Sequence, residues 1–245
     1  MSSFWSLADT PLHKEGDLEQ NWCWLPGWSF SAEVFRPFWE ALPGQHWIAD
    51  YQNTASSLDQ ACTLAADAPA NAIWVGWSLG GAIATLAAES ANAAALVTLA
   101  TGKHFLADAE HDGMASSDFD AFCSGLNASP DKTLKRFISL CTQGADDPRA
   151  LMKALKDHQL EASPTLTDSL NWLTQFTLEA PALPGVHFYS QTDALQAQGL
   201  APASYSQSGS HAFFLTPEGQ QELLHWLRPL LVVAAFAQED DHGAT

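Results

Sequence analysis

The run Gly76-Trp-Ser-Leu-Gly-Gly81 sets a serine between glycines directly after the apolar residues 72–75. A strand that ends in Gly-x-Ser-x-Gly and turns at once into a helix must reverse sharply, and glycines clear the room for that reversal. Such a turn lifts the Ser78 hydroxyl out of the sheet. It also sets the residue at a helix N-terminus, where free backbone N–H groups and the helix dipole favour negative charge on a substrate oxygen. That is the setting of a nucleophile for acyl transfer. The five-residue pattern alone is weak, because a glycine-rich turn can serve only to pack a helix on a sheet; the strand-turn-helix context gives it weight.

A serine of this kind needs a base, and the base needs an orienting acid. In this architecture the order is Ser, then Asp or Glu after a late strand, then His on a loop before the last helix. His211, in Gly209-Ser-His-Ala-Phe-Phe214, occupies a small-residue loop just ahead of Thr216-Pro-Glu218, which opens the final helical pattern. His225 falls inside that helix, His187 within a strand and His13 before the first strand, so each reads as a core or surface histidine. Asp193 follows a strand in Tyr189-Ser-Gln-Thr-Asp-Ala194, where the acid belongs, although an ordinary turn aspartate would look the same. Asp168 is the alternative acid, in a stretch of helical pattern.

The elements that must position these residues follow from periodicity. Residues 22–25, 46–49, 72–75, 95–99 and 186–189 are short apolar runs rich in branched and aromatic side chains and read as buried strands. Between them lie segments of helical length at 31–42, 55–67 and 80–91, with 217–227 near the end. Alternation of this kind predicts an α/β protein with a mostly parallel central sheet and helices on both faces. From 105 to 176 no strand is evident, only helical patterns such as 131–140 and 148–160. This stretch reads as a helical lid inserted between the core segments 1–104 and 177–245. The polar tail 238–245 is expected to fray.

Composition excludes several function classes. Ten basic residues against 28 acidic ones give a net charge of −18, which repels phosphate backbones and anionic lipid. No nucleic-acid or membrane partner is expected. The longest apolar run, 230–237, falls well short of a span. Cys23, Cys62, Cys123 and Cys141 show no metal-ligand spacing and follow no apparent secretory signal, so the expectation is a reduced, cytoplasmic protein without structural metal.

Taken together, Gly27-Trp-Ser-Phe-Ser-Ala-Glu-Val-Phe35, the Ser78 turn, Ala95-Leu-Val-Thr-Leu-Ala100 and Leu134-Lys-Arg-Phe137 resemble the pimeloyl-[acyl-carrier-protein] methyl ester carboxylesterases of biotin synthesis, within the α/β-hydrolase superfamily. The resemblance runs over most of the chain and is densest in the first 160 residues. It implies Ser78 as nucleophile, His211 as base and Asp193 as orienting acid, with the backbone N–H groups of Trp28 and Leu79 as the oxyanion hole. Phe137, Ile138, Ser139, Leu140 and Cys141, with Trp28, would line the acyl pocket. The reaction needs no metal or organic cofactor. The chain departs from the family at three places. Pro26-Gly27 stands where His-Gly is usual, Tyr51-Gln-Asn-Thr54 replaces a Leu-Pro-Gly-x-Gly stretch, and only 17 residues separate Asp193 from His211, so the helix between them must shrink to about one turn.

Charge distribution supplies an independent clue. Six of the ten basic residues, Lys132, Lys135, Arg136, Arg149, Lys153 and Lys156, fall within 131–158, where four aspartates oppose them. Their i, i+3, i+4 and i, i+4, i+7 spacings line one face of each of two helices. Solvated helix faces would look the same. An acidic acyl carrier protein docking on the lid through Lys132, Arg136, Arg149 and Lys153 would need such an island to overcome long-range repulsion. The sequence therefore reads as a monomeric serine esterase acting on the methyl ester of pimeloyl-acyl carrier protein. The competing readings are an esterase or thioesterase for small free acyl esters, and a hydrolase-fold protein that binds an acyl ligand or partner without turnover.

Overall fold

Three parallel strands form the centre of the sheet, and their sequences explain why. β2 (Asn21–Leu25), β4 (Ile73–Trp77) and β5 (Ala95–Leu99) are buried almost throughout, as strands covered on both faces must be. The computed structural model describes residues 3–9, 20–109, 113–195, 205–207 and 209–242, with backbone alone for 205–207 and 232–242. With β1 (Trp5–Leu7), β3 (Gln45–Ala49), β6 (Gly185–Ser190) and β7 (Tyr205–Gln207), the strands form one sheet in the order β1-β3-β2-β4-β5-β6-β7. Only β1 runs antiparallel, paired to β3 at the edge. Register is continuous across the centre: Trp24 lies beside Val75, and Gly76 beside Thr98.

Helices pack around the sheet. Ala32–Phe35 is a 3-10 turn that leads into α1 (Arg36–Trp39), followed by α2 (Tyr51–Thr54), α3 (Leu58–Ala65), α4 (Leu79–Ala87) and, at the end, α9 (Pro217–His242). α3 packs on α4, and α1 on α9. Between β5 and β6 come α5 (Ser116–Ala128), α6 (Pro130–Thr142), α7 (Pro148–Lys156) and α8 (Pro164–Leu170). Proline opens α6, α7 and α8, where its missing N–H costs nothing. The side chains of Asp147 and Ser163 cap α7 and α8 by accepting the amides of Ala150 and Leu166.

The five expected strands all form, with ends shifted by one or two residues. The three-residue strands β1 and β7 are additional, and runs that short carry no readable period. The expected helices at 80–91 and 148–160 end early, at Ala87 and Lys156, and three further helical expectations need correction. The 31–42 segment divides because Pro37 has no N–H to continue a ladder from the preceding turn. The 55–67 segment shortens to α3, started by Ser57, whose hydroxyl accepts the Gln60 amide. The last helix continues beyond 227 to His242 and takes in part of the tail expected to fray. His13 lies outside the described residues, as does most of the stretch where a one-turn helix was expected before His211.

Aromatic side chains fill the core. Trp22, Trp24, Trp28, Trp39, Trp74 and Trp77 are all essentially without exposure. The indole N–H groups of Trp22, Trp24, Trp28 and Trp77 are paired, that of Trp24 with His46 Nδ1 at 3.1 Å, while those of Trp39 and Trp74 are buried without a partner among the described residues. Among the described residues no helix is long and apolar enough to cross a membrane.

Candidate active site

Ser78 stands between β4 and α4 with φ 54° and ψ −119°, a left-handed conformation that a non-glycine residue holds only under constraint. The constraint is backbone packing. A Cβ added at Gly76 would meet the backbone of Gly80 and Gly81, and one added at Gly80 would run into the carbonyl oxygens of Leu25 and Pro26. Neither glycine has positive φ, so both serve close approach while the serine carries the strain. Hydrogen bonds fix the elbow further. Ser78 N–H donates to Leu99 O at 2.9 Å, and Ser78 O accepts from Ala82 N–H and from Thr101 Oγ1.

His211 and Asp193 meet at the C-terminal side of the sheet. His211 Nδ1 lies 2.7 Å from Asp193 Oδ2, while Asp193 Oδ1 accepts the Leu195 amide at 2.8 Å. Both residues are buried. Facing a carboxylate, Nδ1 carries the hydrogen, which leaves Nε2 with its lone pair, and Nε2 is buried with no protein partner. Asp168 is exposed on α8, far from this arrangement in burial and role. His187 is bonded to Thr98 within the sheet, and burial pulls its pKa below the usual histidine range.

The loop that carries the imidazole is held at three points. Trp77, the residue before the serine, donates its indole N–H to His211 O at 3.0 Å and lays its ring beside the imidazole. Cys141, at the end of α6, accepts the Ala212 amide. Burial, and then the Asp193 carboxylate, push the Cys141 thiol well above its ordinary range, so it stays protonated and does not compete as a nucleophile. Gly209 O, two residues before the histidine, accepts from both Ser190 Oγ (2.7 Å) and Thr192 Oγ1 (2.5 Å).

Ser78 and His211 line one cavity of about 20 Å³, room for a water-sized group. Its apolar wall comes from Phe105, Leu173, Phe176 and Leu195. Motif and order reasoning named none of these four, because no motif or period marks them. None of the residues expected to line an acyl pocket lines this cavity. Trp28 packs edge-on against Phe137 and Phe122, at 5.0 and 5.8 Å between ring centroids, and donates its indole N–H to Leu166 O. Ile138 and Cys141 share the buried face of α6 with Phe137, Leu140 is partly buried, and Ser139 lies on the solvent side.

Two backbones carry candidate oxyanion donors. Leu79 opens α4, so its N–H has no acceptor within the helix. Trp28 lies in the turn closed by Phe30 N–H to Gly27 O at 3.2 Å, with Ser29 at φ 66°. The contact of Gly80 with Leu25 and Pro26 brings these backbones together.

No protein-family model matches the chain. The pimeloyl-[acyl-carrier protein] methyl ester esterase of Edwardsiella ictaluri is 32% identical over 198 residues, covering 73% of this chain and 77% of that protein. The protein of the same name from Vibrio cholerae is 33% identical over 190 residues, covering 74% and 72%. The chain belongs to the pimeloyl-[acyl-carrier protein] methyl ester esterase family. Solved structures agree on the fold. An esterase from Exiguobacterium antarcticum superposes with a TM-score of 0.72 at 15% identity, covering 88% of this chain and 92% of that one. MenH from Staphylococcus aureus gives 0.69 at 14% identity, covering 96% and 100%. The fold is that of the α/β hydrolases.

Lys132, Lys135 and Arg136 lie on the outer face of α6, and Arg149, Lys153 and Lys156 on that of α7, all exposed. Among the described residues none of the six is held in an ion pair. Between the two helices runs a groove of about 680 Å³ with Leu134, Ile138, Met152 and Leu160 along it and Lys135 and Lys156 at its sides.

Proposed function

We propose that this protein hydrolyses the methyl ester of a pimeloyl group carried on acyl carrier protein, with Ser78, His211 and Asp193 as its catalytic triad. The observation that carries the reading is the buried Asp193–His211 pair, which leaves an unpartnered Nε2 in the cavity that Ser78 lines. Ser78 Oγ attacks the ester carbonyl and His211 Nε2 takes its proton. The carbonyl oxygen becomes an oxyanion held by the N–H groups of Trp28 and Leu79. As the tetrahedral intermediate collapses, His211 returns the proton to the methoxy oxygen and methanol leaves. Water then attacks the acyl-serine by the same route in reverse, releasing the free carboxylate and restoring Ser78. Asp193 keeps the imidazole in the tautomer this cycle needs and stabilises the imidazolium formed on the way.

Residues 105–176 act as a lid, and the basic faces of α6 and α7, through Lys132, Arg136, Arg149 and Lys153, receive the acidic carrier. What supports this docking is the concentration of unpaired cations on one surface of a chain with net charge −18. We further propose that the protein works as a cytoplasmic monomer. The test is growth of a biotin auxotroph that lacks its own methyl ester esterase. The wild-type chain is expected to restore growth without biotin, and Ser78→Ala is not; failure of the wild type, or rescue by the alanine variant, overturns the reading.

A further inference from the structure

The turn that carries the Trp28 N–H is gripped from the protein core by one side chain. Gln52, on α2, accepts the Ser29 N–H on Oε1 at 2.5 Å and donates from Nε2 to Phe30 O at 2.9 Å. The carboxamide thus satisfies a donor and an acceptor on neighbouring residues of one turn. Gln52, Ser29 and Phe30 are all buried, so these polar groups have no access to bulk water. Beside it Tyr51 donates its hydroxyl to Pro26 O at 2.8 Å, steadying the approach to the turn.

The grip matters because the turn is strained. Ser29 sits at φ 66°, a conformation that persists in a non-glycine residue only where its surroundings impose it. Other bonds to this segment come from residues 158–166: Leu160 N–H donates to Ser29 O at 2.8 Å, Ser31 N–H to His158 O at 2.9 Å and the Trp28 indole N–H to Leu166 O at 2.9 Å. Those three are at stake whenever the lid shifts to admit an acyl chain. Gln52 lies outside the lid, on α2.

We propose that Gln52 is a positioning residue for transition-state stabilisation: its side-chain amide holds the Gly27–Phe30 turn so that the Trp28 N–H points at the developing oxyanion. This rests on the reading of Ser78 as nucleophile and of the Trp28 amide as an oxyanion donor. The Tyr51-Gln-Asn-Thr54 stretch, where the chain departs from its family's pattern, thereby acquires a role in the reaction.

The experiment compares wild type, Gln52→Met and Ser78→Ala on p-nitrophenyl butyrate, a substrate that needs no carrier. It adds inhibition by a trifluoromethyl ketone, which forms an oxyanion on the serine. Methionine keeps the length and removes both hydrogen bonds. Expected for Gln52→Met are a kcat lower by about 10–100-fold, as befits a displaced oxyanion donor, a KM within about threefold of wild type, and inhibitor affinity weakened in parallel with kcat/KM. A residue that only packs would lower the thermal midpoint and leave kcat and inhibitor affinity of the folded enzyme alone. Wild-type kcat in Gln52→Met, or a loss confined to KM, with Ser78→Ala inert, overturns the role of Gln52 and leaves the triad standing. An active Ser78→Ala overturns the reading beneath it. If Gln52→Met does not accumulate as folded protein, Gln52→Asn, one methylene too short to reach both partners, carries the same comparison.

Discussion

The serine elbow and the loops that face it are built in different ways. At the elbow, backbone touches backbone: Gly76 against Gly80 and Gly81, and Gly80 against the carbonyls of Leu25 and Pro26, leave Ser78 one conformation. The loops are held by side chains instead. Gln52 grips the Trp28 turn, Ser190 and Thr192 grip Gly209, and Trp77 donates to the His211 carbonyl. A backbone contact has no graded response, because a carbonyl cannot rotate out of the way as a side chain can. A side-chain grip can be loosened one hydrogen bond at a time. The elbow should therefore fail as a whole, and the loops by degrees.

The sharpest break tests the chemistry itself. Ser78→Ala and His211→Ala should each lower kcat by about 10⁴–10⁶-fold, because residues that act as one unit lose nearly everything singly. Ser78→Ala should leave the thermal midpoint near wild type, whereas His211→Ala empties a buried space and strips the buried Asp193 of its partner, and so should lower it. Asp193→Asn should cost a similar factor or somewhat less. Near-normal turnover of either alanine variant on p-nitrophenyl butyrate would remove the proposed mechanism, and an unaffected Asp193→Asn would move the acid elsewhere.

Next in size is Gly80→Ala, which sets the two modes of construction against each other. The added methyl meets the Leu25 and Pro26 carbonyls, so β2 and α4 must separate. Overpacking of this kind costs about 1–3 kcal/mol, or roughly 2–4 °C in thermal midpoint per kcal/mol for a chain of this size. The displaced serine should also lose about 100-fold in kcat. Calorimetry and kinetics on one preparation check both. Stability lost with activity retained would mean that the elbow is less rigid than its contacts imply.

Legibility in the sequence follows the same division. The elbow could be read because its signature lies within a few residues and demands particular residue types, glycine for close approach, an apolar strand before and a helix-former after, even though Gly80 meets the distant Leu25 and Pro26. The order Ser, Asp, His pointed to the pair that meets at 2.7 Å, since a strand end and a pre-helical loop leave few candidates. Gln52 could not be read. A lone glutamine in a short polar run looks like any loop residue, and its partners lie 22 and 23 positions away. Phe105, Leu173, Phe176 and Leu195 were invisible for the same reason. They converge on one cavity from separate elements, and nothing local distinguishes them from ordinary core. Ser139 shows the limit of transfer by resemblance, since a run of five consecutive helical positions must send at least one side chain outward.

The basic faces of α6 and α7, proposed as part of a lid, are predicted to matter only where an acidic body has to be steered. Reversing Lys132, Arg136 and Arg149 to Glu should raise KM for a carrier-bound ester about tenfold at low salt and flatten its salt dependence, because exposed charges act mainly on encounter. Turnover of p-nitrophenyl butyrate should barely change. Equal losses on both substrates would mean that the changes disturb the lid itself. No loss on either would return the island to an ordinary solvated surface.

The smallest expected effect concerns the latch between the loops that carry Asp193 and His211. Ser190 and Thr192 both donate to Gly209 O, and the Gly209 amide returns a longer bond to Thr192 Oγ1. Thr192 immediately precedes Asp193, and Gly209 is two residues before His211, so these bonds set the register between acid and base across a connection of only 17 residues. Removing both hydroxyls with Ser190→Ala and Thr192→Val leaves the Asp193–His211 bond itself, which is charge-assisted and buried, to hold the alignment. The loss in kcat should accordingly be about threefold, of the order of one modest hydrogen bond, with KM and the thermal midpoint little altered. Thr192→Ser, which keeps a hydroxyl, should recover most of whatever Thr192→Val loses. A double variant as impaired as Asp193→Asn would show that the latch, and not the carboxylate, governs the imidazole. The loops would then be as unforgiving as the elbow, and the contrast between the two halves of the site would not hold.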